Sequence, residues 1–112
     1  MEVWDWLALE ERILTRRRVE QMVSKAKEAA ALVKREYGAD VYLFGSLVED
    51  RVHAGSDVDL LVCGPISEAQ KREIIRKVEG IAMPFSVDVI FEDEVSVQFS
   101  RAVKDRGVKL TC

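Results

Sequence analysis

The stretch VYLFGSLVEDRVHAGSDVDLLVC, residues 41 to 63, is the part of the chain around which the rest arranges itself. An apolar run, Val41 to Phe44, ends at Gly45-Ser46. A ten-residue spacer follows, and Asp57-Val58-Asp59 opens a second apolar run, Leu60 to Cys63. Short apolar runs bounded by Gly, Ser and Asp read as two buried strands joined by a polar loop. Side chains two apart on a strand share a face, so Asp57 and Asp59 are expected to point the same way with Val58 packed behind them. Two converging carboxylates resist joint ionisation unless a cation lies between them, and oxygen-only ligands favour Mg²⁺, with Mn²⁺ as the alternative, over zinc. Gly45 permits close approach to the backbone, and Ser46 offers a hydroxyl and a cap for a helical turn whose free N–H groups attract phosphate.

Metal carboxylates opposite a Gly-Ser phosphate grip suit nucleotidyl or phosphoryl transfer, where catalysis is mainly positioning and charge neutralisation. The pattern resembles the nucleotidyltransferase superfamily of DNA polymerase beta and, at this chain length, its minimal nucleotidyltransferases. The signature of that family is Gly-Ser, a spacer of this order, Asp-x-Asp, and a third aspartate on a later strand. Gly45, Ser46, Asp57 and Asp59 match it, and Asp88 within Ser86-Val87-Asp88-Val89-Ile90 fits the third position, so that the resemblance covers residues 40 to 91.

The resemblance implies an α/β (α+β) fold, a single polymerase beta palm-like domain over residues 1–112 with helices packed on a mixed sheet. It implies that Asp57, Asp59 and Asp88 are catalytic and hold Mg²⁺, and that Gly45 and Ser46 hold the β- and γ-phosphates of ATP. The reaction implied is transfer of AMP to an acceptor hydroxyl, with pyrophosphate leaving. Minimal members are often antitoxins paired with a HEPN-domain ribonuclease toxin, and some add AMP to a tyrosine of that partner. The chain is short for a second, substrate-binding domain, which again points to an acceptor supplied by another protein. The expectation is therefore a protein adenylyltransferase acting as an antitoxin, the alternative being a weak nucleotide binder that neutralises its partner by masking it. One departure bears on activity: Glu49 and Asp50 stand where the family usually carries an arginine, leaving Arg51 or His53 to take over that role.

The remaining sequence bounds this reading. A chain of 112 residues, 48% hydrophobic and 33% charged, has room for one domain with a modest core. A net charge of −3 argues against an extensive nucleic-acid surface. Two cysteines without metal spacing make no disulfide framework, and Cys63 reads as a small buried hydrophobe. No apolar run reaches membrane-spanning length and no signal-peptide pattern precedes the first helix, so the expected location is cytoplasmic. Association with itself or with another chain stays open.

In chain order, Trp4 and Trp6 make an aromatic N-terminus, read as local packing with a partner patch as the alternative. Residues 7 to 37 lack Gly and Pro and carry apolar residues at helical spacing, which predicts a long amphipathic helix, either continuous or broken once near Thr15, with Gly38 as its C-cap. Arg16 to Arg18 read as a solvated face paired with Glu10, Glu11 and Glu20, with a contact to a partner or RNA as the alternative. Ser67 and Gln70 form a capping-box pattern for a helix over 67–79, stopped by Gly80. Phe85 to Phe91 read as a third strand with Asp88 on the face opposite Val87 and Val89. Asp93 is the expected N-cap of a last helix over 94–105, ended by Gly107, and Val108 to Cys112 form an edge strand or a frayed tail.

Overall fold

The computed structural model describes residues 3–49 and 57–112, with side chains from residue 15 onward. The readings placed on Asp50, Arg51, His53 and the side chains of Trp4, Trp6, Glu10 and Glu11 lie outside the described residues. Helix α1 (Val3–Tyr37) leads into strand β1 (Asp40–Phe44), and strand β2 (Val58–Cys63) follows the spacer. Then come helix α2 (Glu68–Ala82), strand β3 (Val87–Phe91), helix α3 (Val97–Arg106) and the short strand β4 (Val108–Lys109). Three helices thus pack on a mixed four-stranded sheet in the order β3-β2-β1-β4, with β2 and β3 parallel and β1 antiparallel to both β2 and β4.

Register and burial explain how the sheet holds its helices. Val41 and Leu43 on β1, Val58, Leu60 and Val62 on β2, and Phe91 on β3 share one face, and all join a single buried cluster. Helix α1 contributes Met22, Ala26, Ala29, Ala30 and Val33 to that cluster, and α2 contributes Ile74 and Val78. These positions recur every three or four residues, so each helix turns one stripe inward. The small alanines of α1 let its backbone lie close to the sheet. Leu61, also fully buried, points to the opposite face, which α3 partly covers. Adjacent buried leucines on one strand therefore mark a sheet packed on both sides.

Several boundaries depart from the sequence reading. The first helix begins at Val3 and runs through Thr15 unbroken. It ends where expected: Gly38 has φ +70 and its N–H donates to the Lys34 carbonyl at 2.9 Å. In α2 the capping box is present, Ser67 accepting from the Gln70 N–H, yet Gly80 lies inside the helix. Glycine costs a helix only about 1 kcal/mol relative to alanine, and buried Val78 and Ala82 on either side outweigh it. The stop comes at Met83, whose ψ of 139 is the extended value forced on a residue before proline. Strand β3 starts two residues later than Phe85, whose N–H instead closes a turn onto the Ala82 carbonyl at 2.9 Å.

The last helix is capped by Ser96, which accepts from the Phe99 N–H at 3.1 Å. Asp93 belongs to a 3-10 turn, Glu92–Glu94, and its carboxylate accepts from the buried Lys71 ammonium at 2.8 Å. Glu94 and Glu68 also reach that ammonium, at 3.0 and 3.2 Å, which ties the start of α2 to the turn after β3. These hydrogen bonds hold the Lys71 ammonium above the usual lysine range. The C-terminal residues are not frayed: Leu110 N–H donates to the Val41 carbonyl at 2.8 Å, and Val41 N–H donates to Thr111 Oγ1 at 3.2 Å. Of the arginine run, Arg16 faces Glu20 at 4.0 Å on the surface, while the Arg18 guanidinium lies 5.1 Å over the Phe85 ring. All three arginines are exposed, as a solvated face requires, and Arg18 in addition covers the Phe85 ring.

Candidate active site at the end of strands one to three

Asp59 sits where alternation puts it. In β2, Val58, Leu60 and Val62 go to the helix-covered face, which sends Asp59 to the other. The parallel register sets Asp59 beside Asp88 on β3, and the antiparallel register sets Phe44 on its other side. A row Asp88, Asp59, Phe44 thus crosses three strands at neighbouring-strand spacing, about 4.8 Å per step. Asp57 immediately precedes β2, and its charge is felt at Asp59.

Asp59 is half-buried, and that governs its chemistry. Burial, then the Asp88 carboxylate, then that of Asp57 push its pKa up to about 6, against 3.8 for an ordinary aspartate. Loss of hydration and two like charges both disfavour the ionised form. The spot is one of concentrated negative potential that a cation would relieve.

Gly45 sits directly against this carboxylate. Its φ is +80, and a Cβ placed on it would stand 2.2 Å from Asp59 Oδ2 and 3.1 Å from Asp59 Cγ. Only glycine satisfies both the left-handed backbone and the contact. Gly45–Leu47 form a single 3-10 turn, with Gly45 O accepting from the N–H groups of Val48 at 3.1 Å and Glu49 at 3.0 Å. Ser46 does not cap this turn; the capping position falls on Phe44, which makes no side-chain cap bond. The first N–H groups of such a turn have no partner within it, which makes them the donors an anion would use.

The donor set suits a hard divalent cation. Among the described residues, no group of three or more His, Cys, Asp or Glu side chains stands in a metal-holding cage. Mg²⁺ is usually bound by one or two carboxylates, with phosphate oxygens and waters completing its octahedron, and aligned Asp59 and Asp88 offer that much.

One part of the site escaped the sequence reading. Beyond the end of β1 lies a groove of about 190 Å³, lined among others by Phe44, Gly45, Val48, Phe99, Ala102 and Arg106. Phe44 could have been placed there by alternation, since it shares the Asp59 face. Phe99 and Ala102 carried no signal, because it is the crossing of α3 over β1 that brings them in. Exposed Glu49 also lines the groove, next to the Gly45 turn. Glu49→Arg is expected to tighten Mg²⁺-triphosphate binding by on the order of 1 kcal/mol at low salt, a gain that shrinks as salt rises. Titration calorimetry at two ionic strengths checks this; equal affinities at both would place Glu49 outside the phosphate field.

Comparison with known proteins agrees with this fold. The family described as nucleotidyltransferase domain matches residues 23–110. No curated protein sequence matches the chain significantly. Among solved structures, a candidate minimal nucleotidyltransferase superposes with a TM-score of 0.66 at 22% identity, covering 80% of this chain and 93% of that one. A toxin–antitoxin complex with AMP-PNP gives 0.61 at 22% identity, covering 76% and 72%. A complex of tri-AMPylated HEPN toxin with MNT antitoxin from Shewanella oneidensis gives 0.56 at 21% identity, covering 81% and 71%. At these identities the shared property is the fold.

Proposed function

The chain belongs to the nucleotidyltransferase domain family, and on that premise we propose that it transfers AMP from ATP to a hydroxyl group of a partner protein. The observation that carries this reading is the register that sets Asp59 beside Asp88 with Gly45 pressed against the Asp59 carboxylate. Asp57, Asp59 and Asp88 are the metal-holding catalytic residues in this reading, and the Gly45–Ser46 turn takes the β- and γ-phosphates through its backbone N–H groups. Bound Mg²⁺ supplies neutralisation of the charge that builds on the phosphoryl oxygens. Asp88, exposed at the edge of the row, receives the acceptor proton as the hydroxyl oxygen attacks the α-phosphorus and the bond to pyrophosphate breaks.

The choice of acceptor draws its support from the neighbours. A fold shared with an MNT antitoxin bound to an AMPylated HEPN toxin supports a HEPN-type ribonuclease as partner and one of its tyrosines as acceptor. The AMP-PNP complex supports ATP as donor. No described helix is long and apolar enough to cross a membrane, and we place the pair in the cytoplasm. A second reading, neutralisation by masking alone, is favoured by one observation: acidic Glu49 lies beside the phosphate turn.

Co-expression with a HEPN partner, ATP and Mg²⁺ separates the two. Mass spectrometry is expected to find one or more AMP adducts on a partner tyrosine, absent with Asp57→Asn although the complex still forms. A tight complex without adduct leaves masking. No complex at all removes the antitoxin reading.

A further inference from the structure

We propose that the groove between the Gly45 turn and α3 seats the nucleobase of the donor and gives the protein a preference for purine nucleotides; this rests on the nucleotide-transfer reading of the neighbouring carboxylates. The groove holds about 190 Å³. That is smaller than the 300 to 1,000 Å³ typical of sites that enclose a whole drug-sized ligand, so it fits one ring system rather than a complete nucleotide. Its walls are apolar where a ring would lie: Phe44 and Phe99 meet edge to face with centroids 5.8 Å apart and planes at 89°, and Val48 and Ala102 close the sides. A perpendicular aromatic pair offers a ligand one ring face and one ring edge, the arrangement aromatic ligands prefer.

Phe99 is 38% exposed, a large apolar side chain left partly in water at the mouth of the groove. The occupant is identified by position. Gly45 forms one wall, and the same glycine lies in contact range of Asp59 Oδ2. A ring in the groove therefore shares the Gly45 turn with a phosphate held beside Asp59. Recognition by stacking and apolar contact grades bases by ring area, which favours purines over pyrimidines.

The test uses the full chain and three ligands with Mg²⁺: ATP, CTP and inorganic tripolyphosphate, titrated by calorimetry. Wild type is expected to bind ATP more tightly than CTP. Phe99→Ala should weaken ATP binding by about tenfold, the scale of one lost base–aromatic stack. It should narrow the gap to CTP and leave tripolyphosphate binding unchanged, while Phe99→Trp keeps wild-type affinity. Equal losses for ATP and tripolyphosphate would overturn the proposal by showing that Phe99 acts through the phosphate turn. So would ATP binding untouched by Phe99→Ala with a raised KM for the protein acceptor, which would assign the groove to the acceptor's aromatic ring. Wild type that binds tripolyphosphate as well as ATP overturns the base seat while sparing the phosphate and metal reading. Failure to bind any of the three removes both.

Discussion

Asp59→Asn is expected to lower Mg²⁺-dependent AMP transfer by about 10³-fold, the several kcal/mol that a metal contributes to neutralising a transferring phosphoryl group. The fold should survive and become more stable when ligand-free. In the folded chain the Asp59 pKa is pushed up to about 6 by burial and by Asp88 and Asp57. Folding therefore raises this group's affinity for protons, and keeping it ionised costs stability at every pH above that value. A shift of this size corresponds at face value to about 3 kcal/mol. Solvent screening of a half-buried group reduces it to on the order of 1 kcal/mol. The advantage of Asp59→Asn should be full above about pH 6 and vanish as the pH falls to the ordinary aspartate value of 3.8. Chemical denaturation in EDTA at pH 7.5 and pH 4 measures it. Adding Mg²⁺ and a non-hydrolysable ATP analogue should stabilise wild type and not the variant. Wild-type transfer rates in Asp59→Asn, or a variant less stable than wild type at pH 7.5, would remove Asp59 from the centre of the site.

The physical basis of what could be read from the chain is the two-residue period. Because side chains alternate across a strand, Val58-Asp59-Leu60 in sequence is enough to separate a core face from a carboxylate face, and Gly45-Ser46 at the end of the preceding apolar run marks where a ligand can approach. The parallel register that pairs Asp59 with Asp88 is one step further, since it depends on the α2 crossover returning β3 alongside β2. What stayed out of reach depends on contacts far apart in the chain. Gly80 reads as a stop and is overridden by the buried residues around it. Asp93 reads as a cap, yet it is held in a 3-10 turn by Lys71, 22 residues earlier. The groove needs Phe99 from α3 and Phe44 from β1, 55 positions apart, and no local pattern announces their meeting.

Gly45→Ala should reduce transfer by at least 100-fold while leaving the sheet intact, and the reason is a conflict at a single carbon. The residue at position 45 must hold φ +80, a left-handed conformation that costs an L-residue about 1 to 2 kcal/mol. The added methyl would in addition lie 2.2 Å from Asp59 Oδ2, well inside van der Waals contact, so either the turn or the carboxylate must move. Backbone relaxation here is resisted because Gly45 O anchors the N–H groups of Val48 and Glu49, and β1 is paired on both edges. The Asp59 side chain is the softer element and is expected to swing away, taking with it the alignment to Asp88. A displacement of about 1 Å in a reacting geometry is enough to cost on the order of 100-fold. Gly45→Ala and Asp59→Asn should then be strongly non-additive, the double variant being little worse than Asp59→Asn alone, because both remove the same carboxylate from the same place. Kinetics of the two single variants and the double variant decide the point: independent, multiplying losses would mean that Gly45 serves the phosphates through its backbone alone and that its contact with Asp59 carries no catalytic weight.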